Sequence, residues 1–231
     1  MKGRLGGRLR EVWQFRYYFL SAAVAVILWD TVMMKPFRIF IVMVHEVCHA
    51  AATLMTGGEV LEIRTQWDES GHTLSRGGFF PLITAAGYVG SAMLGALLIY
   101  TGTAPRIQRV VLLVIGAATM LMTMGYTPVG GGDFFLGIFG GLIIVSLAIK
   151  SSRAAMIGST WLGTLLCLYS MYDFRTDLWM HPELTDAGIL ARGLGLPQIL
   201  AYPIALSWVV ISVVLMYRAM RALVRWQSKQ S

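Results

Sequence analysis

The chain has 231 residues, of which 56% are hydrophobic and only 13% are charged, with a mean hydropathy of +0.65. A soluble domain carries about twice that share of charge, so this class is excluded. The net charge of +7 lies at the chain ends and between apolar runs rather than in one stripe, which argues against a nucleic-acid partner and favours anionic lipid headgroups. Composition therefore predicts an all-α polytopic membrane protein.

Seven apolar runs are each long enough to be a candidate span, and we expect six to seven of them to cross the bilayer. They are 17–34, 36–56, 79–100, 107–125, 133–149, 154–172 and 198–217. The basic segment 1–16 precedes the first run, and no small-residue cleavage site follows it before Lys35. We interpret the first run as an uncleaved span, although it need not cross fully.

The distribution of positive charge does not determine how the protein is oriented in the membrane. With seven full crossings, 9 Lys and Arg residues fall on the N-terminal side and 10 on the opposite side. The positive-inside rule cannot choose between two such similar values.

The second run contains His45-Glu46-Val47-Cys48-His49, an HExxH pattern. On a helix this pattern places two imidazoles on one face, one turn apart, beside a carboxylate. With 4 histidines and 6 glutamates in the chain, about 0.002 chance matches are expected. Ionisable groups at membrane depth are costly unless they are used. The motif predicts a zinc site held by His45 and His49, with Glu46 as the catalytic general base.

A polar segment follows the HExxH run, from Gly57 to Gly78. Leu61 and Ile63 alternate there with charged residues, and 68–71 is a turn signal before a second strand-like stretch. We predict a short β-hairpin whose edge could pair with an extended substrate, with Leu61 and Ile63 as substrate-binding residues. A solvated loop with no substrate role is the alternative.

In the next run, Gly87, Ser91 and Gly95 recur every four residues and give one small-residue face. We expect this face to pack against the HExxH helix and bring Gly87 and Tyr88 near the site, where both are further substrate-binding candidates. The loop 130–133 and the segment 173–197 are candidates for gating a polar cavity.

A catalytic zinc commonly has three protein ligands, so a third is needed. Asp173 closes the apolar run 165–172 and is the favoured candidate. Asp186 and Asp133 are the principal alternatives, and Asp30 and Asp177 are the other carboxylates at span edges.

These motifs resemble the site-2 protease class of intramembrane zinc metallopeptidases, and especially its small bacterial branch. The resemblance covers about 36–210, a metallopeptidase-like core within a single membrane domain (1–231) that ends in the basic tail 218–231. It rests on these segments: the HEVCHA motif, Gly57-Gly58 with the strand-like segment, 86–90 (AGYVG), 168–173 (LYSMYD), and 185–197 with its Thr-Asp-Ala and Gly-Leu-Pro.

The resemblance implies that His45, His49 and Asp173 are zinc ligands and that Glu46 is the base. It further implies a transmembrane protein or peptide as substrate, and we expect a multi-pass protein of the plasma (inner) membrane. Two departures stand out: the chain has no Asp-Gly dipeptide, the family's usual third-ligand motif, and Gly87-Tyr88 stands where a Gly-Pro pair is usual.

Two other function classes stay open beside proteolysis. A non-proteolytic scaffold or regulator could retain a structural metal, and would then not depend on Glu46. A transporter or haem protein is disfavoured, because bis-histidine haem ligation needs facing helices and His45 and His49 lie on one turn. Substrate identity and oligomeric state are left open by the sequence.

Overall fold

The computed structural model describes residues 16–227, apart from the side chains of 16, 17, 170, 173–180, 224, 226 and 227. Within this part, five helices are long and apolar enough to cross a bilayer by length and composition. These candidate spans are Lys35–Met55, Phe80–Thr103, Pro105–Tyr126, Gly132–Lys150 and Gln198–Leu223. The predicted all-α polytopic class is confirmed.

The helices are α1 (Arg16–Leu28), α2 (Lys35–Met55), α3 (Phe80–Ala85), α4 (Ser91–Tyr100), α5 (Pro105–Tyr126), α6 (Gly132–Lys150), α7 (Ser152–Met180), α8 (Asp186–Gly193) and α9 (Ala201–Gln227). A π-helical segment (Ala86–Gly90) joins α3 to α4, and 3-10 turns occupy Thr101–Thr103 and Gln198–Leu200. Between α2 and α3 lies a hairpin of β1 (Glu59–Thr65) and β2 (Gly71–Arg76).

The first predicted span, 17–34, is wrong as one continuous helix. Helix α1 has 13 residues in the described part and ends at Leu28, and turns follow to Met34. Thirteen residues rise only about 20 Å, short of the roughly 30 Å hydrocarbon core. This part of the run therefore does not cross a bilayer as a helix on its own. Residues 1–15 of the basic N-terminal segment and the last residues of the basic tail lie outside the described residues.

Helix α7 occupies the centre of the bundle and packs against α1, α4, α5, α6 and α9. It contains the predicted run 154–172 and continues to Met180. Its apolar side chains Leu162, Leu165 and Leu166 are almost fully buried in the main core cluster, to which α2 contributes Ile41 and Val44. The large apolar side chains on the outer faces of the bundle are exposed instead, as lipid-facing positions require.

Helix α2 is the most enclosed candidate span. Of its most apolar 18 residues, 83% are buried, whereas the corresponding share is 50% or less in each of the other four candidate spans. Pro36 lies in the first turn, where its missing N–H costs no helical hydrogen bond. Gly57, with φ of +79°, turns the chain out of the helix into the hairpin. Most side chains of α2 between Ile39 and Thr53 are thus placed in protein rather than in lipid, and exposed apolar side chains occur near its ends, at Phe37, Leu54 and Met55.

The span 80–103 is interrupted by the π-helical segment, and this corrects the prediction for its small-residue face. Gly87 lies against the two histidines of α2, as expected, but Gly95 packs against Gly163 and Cys167 of α7. A π-helix has more residues per turn than an α-helix. The five residues of the segment therefore rotate the later positions away from the face that carries Gly87.

The predicted hairpin is confirmed as two antiparallel strands. Its register is irregular between Val60 and Glu62, so Leu61 is displaced from the regular alternation. As a result Val60 and Ile63 are buried against α2 and Leu61 is 40% exposed. The alternation predicted that Leu61 and Ile63 lie on the same face of the strand. This prediction is wrong for Leu61.

The close approach of α4 to α7 gives a test of the packing. A Cβ at Gly95 would lie 2.7 Å from the backbone oxygen of Gly163, which cannot move without its helix. We expect Gly95→Ala to lower stability by about 1–3 kcal/mol, measured as a lower melting temperature of the detergent-purified protein.

Gly125→Ala is the matched control, because a Cβ there would meet no atom within 4 Å. It should hold or slightly raise the melting temperature, since alanine is the better helix former. Equal melting temperatures for Gly95→Ala and the wild type would contradict the packing described here.

Candidate metal centre

The two histidines of the HExxH motif converge in the interior of the bundle. His45 and His49 are four residues apart on α2, and their Nε2 atoms lie 3.0 Å from each other. Both residues are buried, at 5% and 6% exposed. A regular helix places positions i and i+4 on one face, so the spacing in the sequence alone produces this pair.

A carboxylate from a distant part of the chain completes the cluster. Asp186 Oδ2 lies 3.1 Å from Nε2 of His45 and 3.1 Å from Nε2 of His49. Asp186 opens the short helix α8, which Thr185 caps by accepting a hydrogen bond from the Gly188 N–H. Burial raises the pKa of the Asp186 carboxyl, but His49 and hydrogen bonds from both rings outweigh this and hold the pKa below its usual value.

The three donor atoms fit a metal ion. Tetrahedral zinc ligands about 2.0–2.1 Å from the ion are separated by roughly 3.3 Å. The atoms of His45, His49 and Asp186 are 3.0–3.1 Å apart. Among the described residues, this is the one group of three His, Cys, Asp or Glu residues with such spacing.

The other predicted third ligands have different positions. Asp173 lies on α7, but its side chain is outside the described part of the chain, so that prediction stays untested. Asp133 is 7% exposed and is engaged elsewhere. Arg64 Nε approaches its Oδ2 at 2.9 Å as an ion pair, without the alignment of a hydrogen bond. Asp186, an alternative in the sequence analysis, is the carboxylate that the described residues bring to the histidines.

The second nitrogen of His49 fixes the orientation of its ring. Nδ1 lies 2.6 Å from the backbone oxygen of Ile83 and donates to it, so Nε2 is the ring nitrogen that faces the cluster. Ile83 belongs to α3, directly before the π-helical segment. The chain therefore holds a ligand ring through a backbone carbonyl, which no side-chain motif in the sequence could indicate.

Gly87 and Tyr88 pack against the histidine rings of the cluster. The Tyr88 ring packs edge-on against His45, with centroids 4.6 Å apart, and Tyr169 of α7 contacts the same imidazole at 5.4 Å. A Cβ at Gly87 would overlap the Nε2 atoms of both histidines. The sequence prediction placed these two residues near the site, and the structure does bring them there.

Glu46 lies beside the histidines and is 4% exposed. Its Oε2 accepts a hydrogen bond of 2.7 Å from the Thr73 hydroxyl on β2. Among the described residues, its Oε1 takes part in no hydrogen bond. One carboxylate oxygen is thus fixed by the hairpin.

A cavity of about 610 Å³ opens over the cluster, and its lining is about half polar. His45, Glu46 and Asp186 are among the residues that line it. The hairpin turn contributes 68–71, and Arg38 of α2 lies across from this turn. The remaining lining residues are Trp29, Val42, Tyr88, Tyr169, Tyr172, His181, Leu184 and Thr185. Water can therefore reach a site that lies within an apolar bundle.

The hairpin residues predicted to bind substrate do not line this cavity with their side chains. Ile63 is fully buried in a cluster with Met43, Ala50 and Val60, and Leu61 points away from that cluster. The turn 68–71, which the sequence identified only as a turn, supplies the hairpin's contribution instead. A role for the backbone edge of β1 stays a prediction.

Sequence reasoning missed Arg38, Gly71, Thr73 and His181 as residues of the site. Arg38 had a detectable signal, because it lies two turns before His45 on the same apolar helix. Gly71 and Thr73 had none, since their contact with Glu46 depends on how the hairpin docks. Tyr169 lies within the LYSMYD motif but carried no role there.

A family model described as Peptidase M50B-like matches residues 18–219. The match includes both histidines, Glu46, the hairpin, Asp173 and Asp186. No curated protein and no solved structure matches the chain.

The absence of a side chain at Gly87 gives a test of the cluster. We expect Gly87→Ala to lower zinc affinity at least tenfold, because the added methyl would displace rings that Ile83 and Asp186 hold in place. The measurement is zinc retained per chain after dialysis against a graded series of zinc buffers.

Gly90→Ala is the control in the same segment. A Cβ there would meet only Cys48, at 3.1 Å and 3.3 Å, and not the imidazoles. It should retain zinc as the wild type does. Full zinc retention by Gly87→Ala would show that the rings do not need this space.

Proposed function

Because the chain belongs to the Peptidase M50B-like family, the site-2 protease family, we propose that it is an intramembrane zinc metalloprotease. Its substrates are peptide bonds in or beside the transmembrane helices of other membrane proteins. The observation that carries this proposal is the convergence of three ligand atoms, spaced as a zinc ion requires, on the most enclosed span of a multi-pass membrane protein.

His45, His49 and Asp186 are the proposed zinc ligands. Two imidazole nitrogens and one carboxylate oxygen are the donor set of several hydrolytic zinc sites, in which a further position is left for water or substrate. When bound, the metal supplies Lewis acidity toward water and toward the scissile carbonyl oxygen. A non-catalytic structural site would more often have four protein ligands.

Glu46 is the proposed general base. It lines the same cavity as His45 and Asp186, and its Oε1, which takes part in no hydrogen bond among the described residues, is the oxygen that would accept a proton from water. It then returns that proton to the leaving amide nitrogen, so that one carboxyl group serves both steps of the hydrolysis. Its burial at 4% exposed suits this role, since an idle carboxylate at this depth would be costly.

The cavity suits a substrate that arrives as a locally unwound segment. A peptide bond within a helix has its carbonyl already hydrogen-bonded, so the helix must open before water can attack. The turn 68–71 and Arg38 line the cavity, and the backbone of the turn, together with the guanidinium hydrogens that Glu69 does not accept, can hydrogen-bond an opened backbone. Irregular backbone of this kind is tolerated at membrane depth only where it lines such a cavity.

For localisation we propose the plasma membrane, with the lipid bilayer as the surrounding partner. Several spans begin or end with basic residues, among them Lys150 at the end of α6 and Arg106 at the start of α5. Such residues favour contact with anionic headgroups. The multi-pass character itself follows from the five apolar helices and the family.

The role of Glu46 is tested by Glu46→Gln. We expect this variant to retain zinc and to lose at least about a hundredfold in kcat, because glutamine keeps the shape of the side chain but cannot accept a proton. The measurements are zinc content and cleavage of a single-span fluorogenic peptide in micelles. Unchanged cleavage would favour a non-proteolytic protein that keeps a metal.

The third ligand is tested by comparing two aspartates. We expect Asp186→Ala to lose both bound zinc and cleavage, as His45→Ala does, and Asp173→Ala to retain zinc. Zinc per chain after dialysis distinguishes the two. Zinc loss in Asp173→Ala with retention in Asp186→Ala would reverse the assignment and restore the ligand favoured by the sequence.

A further inference from the structure

We propose that strand β2 is the element that positions the catalytic base, with Thr73 as its positioning residue. The inference rests on the proposed function, because it assigns a role in hydrolysis to a residue that touches Glu46 rather than the substrate. The hairpin thereby has a role in addition to the predicted pairing of its edge with an extended substrate.

Thr73 contacts Glu46 at two atoms. The Thr73 hydroxyl lies 2.7 Å from Oε2 of Glu46 and 3.0 Å from the Glu46 backbone oxygen. One hydroxyl thus reaches both ends of the same residue, and its donated hydrogen bond fixes the carboxylate relative to the helix. Among the described residues, Oε1 takes part in no hydrogen bond.

Gly71 of the same strand lies against the other oxygen of the Glu46 carboxylate. A Cβ at this position would lie 2.6 Å from Oε1 of Glu46 and 2.7 Å from Cγ1 of Val42. Gly71 is not among the glycines with positive φ. Its backbone conformation therefore does not require glycine, and the requirement comes from close approach. β2 lies as near to the carboxylate as a backbone can.

The hairpin contacts α2 at successive positions along the helix. Glu69 meets Arg38, Thr73 meets Glu46, and Ser75 meets Thr53. Glu69 belongs to the turn before β2, where its φ is +74°, and Thr73 and Ser75 belong to β2 itself. The contact between Thr73 and Glu46 therefore lies between two other contacts that hold the hairpin along α2.

The fastening on either side of Thr73 is strong. Arg38 donates from Nε and Nη2 to the two carboxylate oxygens of Glu69, both at 2.6 Å, in the paired geometry that gives the strongest ion pairs. The Arg38 side chain is only 12% exposed. At the other end, the hydroxyls of Ser75 and Thr53 lie 2.9 Å apart. The strand that contacts Glu46 is thus held to α2 on both sides of that contact.

The test compares the loss of two hydroxyls on one strand. Thr73→Val removes the donor to Glu46 and keeps the shape of the side chain. Ser75→Ala removes a hydroxyl that fastens the same strand to α2 without touching Glu46. The probe is a single-span fluorogenic peptide that the wild type cleaves, selected from a small library in detergent micelles.

For Thr73→Val we expect kcat to fall roughly ten- to a hundredfold, with KM within about twofold and zinc content unchanged, because a misplaced base slows the chemical step alone. Thr73→Ser should recover kcat to within about threefold of the wild type. Ser75→Ala should stay near the wild type. In a Glu46→Gln background, Thr73→Val should cause no further loss, since the two residues act as a unit.

A second measurement does not depend on turnover. The infrared difference spectrum between wild type and Glu46→Gln, taken without metal, isolates the carboxylate band of Glu46. We expect Thr73→Val to shift this band and Ser75→Ala to leave it in place, because only the first change removes a hydrogen bond to that carboxylate.

The outcomes separate the inference from the proposed function. Wild-type kcat in Thr73→Val, an equal loss in Ser75→Ala, or an unshifted carboxylate band would overturn the role of Thr73 and leave a protease with Glu46 as its base. Equal cleavage by wild type and Glu46→Gln would overturn the proposed function and this role together.

Discussion

Ionisable side chains in an apolar helical bundle are tolerated only where other polar groups surround them, and this constraint organises the whole molecule. His45, Glu46 and His49 lie on the most enclosed candidate span, so none of them meets lipid. Each is engaged by a different element: Asp186 of α8 reaches both imidazoles, Ile83 of α3 accepts from His49, and Thr73 of β2 donates to Glu46. The helices around α2 are arranged so that polar partners arrive where the motif needs them.

The hairpin and the interrupted span 80–103 both bring non-helical backbone close to α2, from different sides. Non-helical backbone at this depth must lie against protein or line a cavity. β2 lies along α2 with a glycine at the closest point, and the π-helical segment presents Gly87 to the imidazoles on the other side. Both approaches are possible because a side chain is missing where the backbones come closest. The result is a polar cavity with one wall of strand and turn and another of helix.

Much of the candidate site could be predicted from local pattern. The spacing of His45 and His49 on an apolar run defines a facing pair wherever a helix forms, and alternation between charged and apolar residues identified β1. The same reasoning failed where one local irregularity shifts a periodic pattern. The displaced Leu61 changed which residues of β1 face α2, and the π-helical segment turned Gly95 toward α7. Neither irregularity has a residue pattern strong enough to predict it from the sequence.

The sequence by itself determined the class of the protein and the core of its chemistry, because hydropathy and an i, i+4 motif are properties of neighbouring residues. Only the tertiary structure decided which carboxylate meets the histidines and what holds the base. Asp186 is 137 residues beyond His49, and five aspartates at span edges were available as candidates along the chain. Contacts over such separations depend on how α8 and the hairpin dock against α2, and that docking is the summed outcome of packing across the entire bundle.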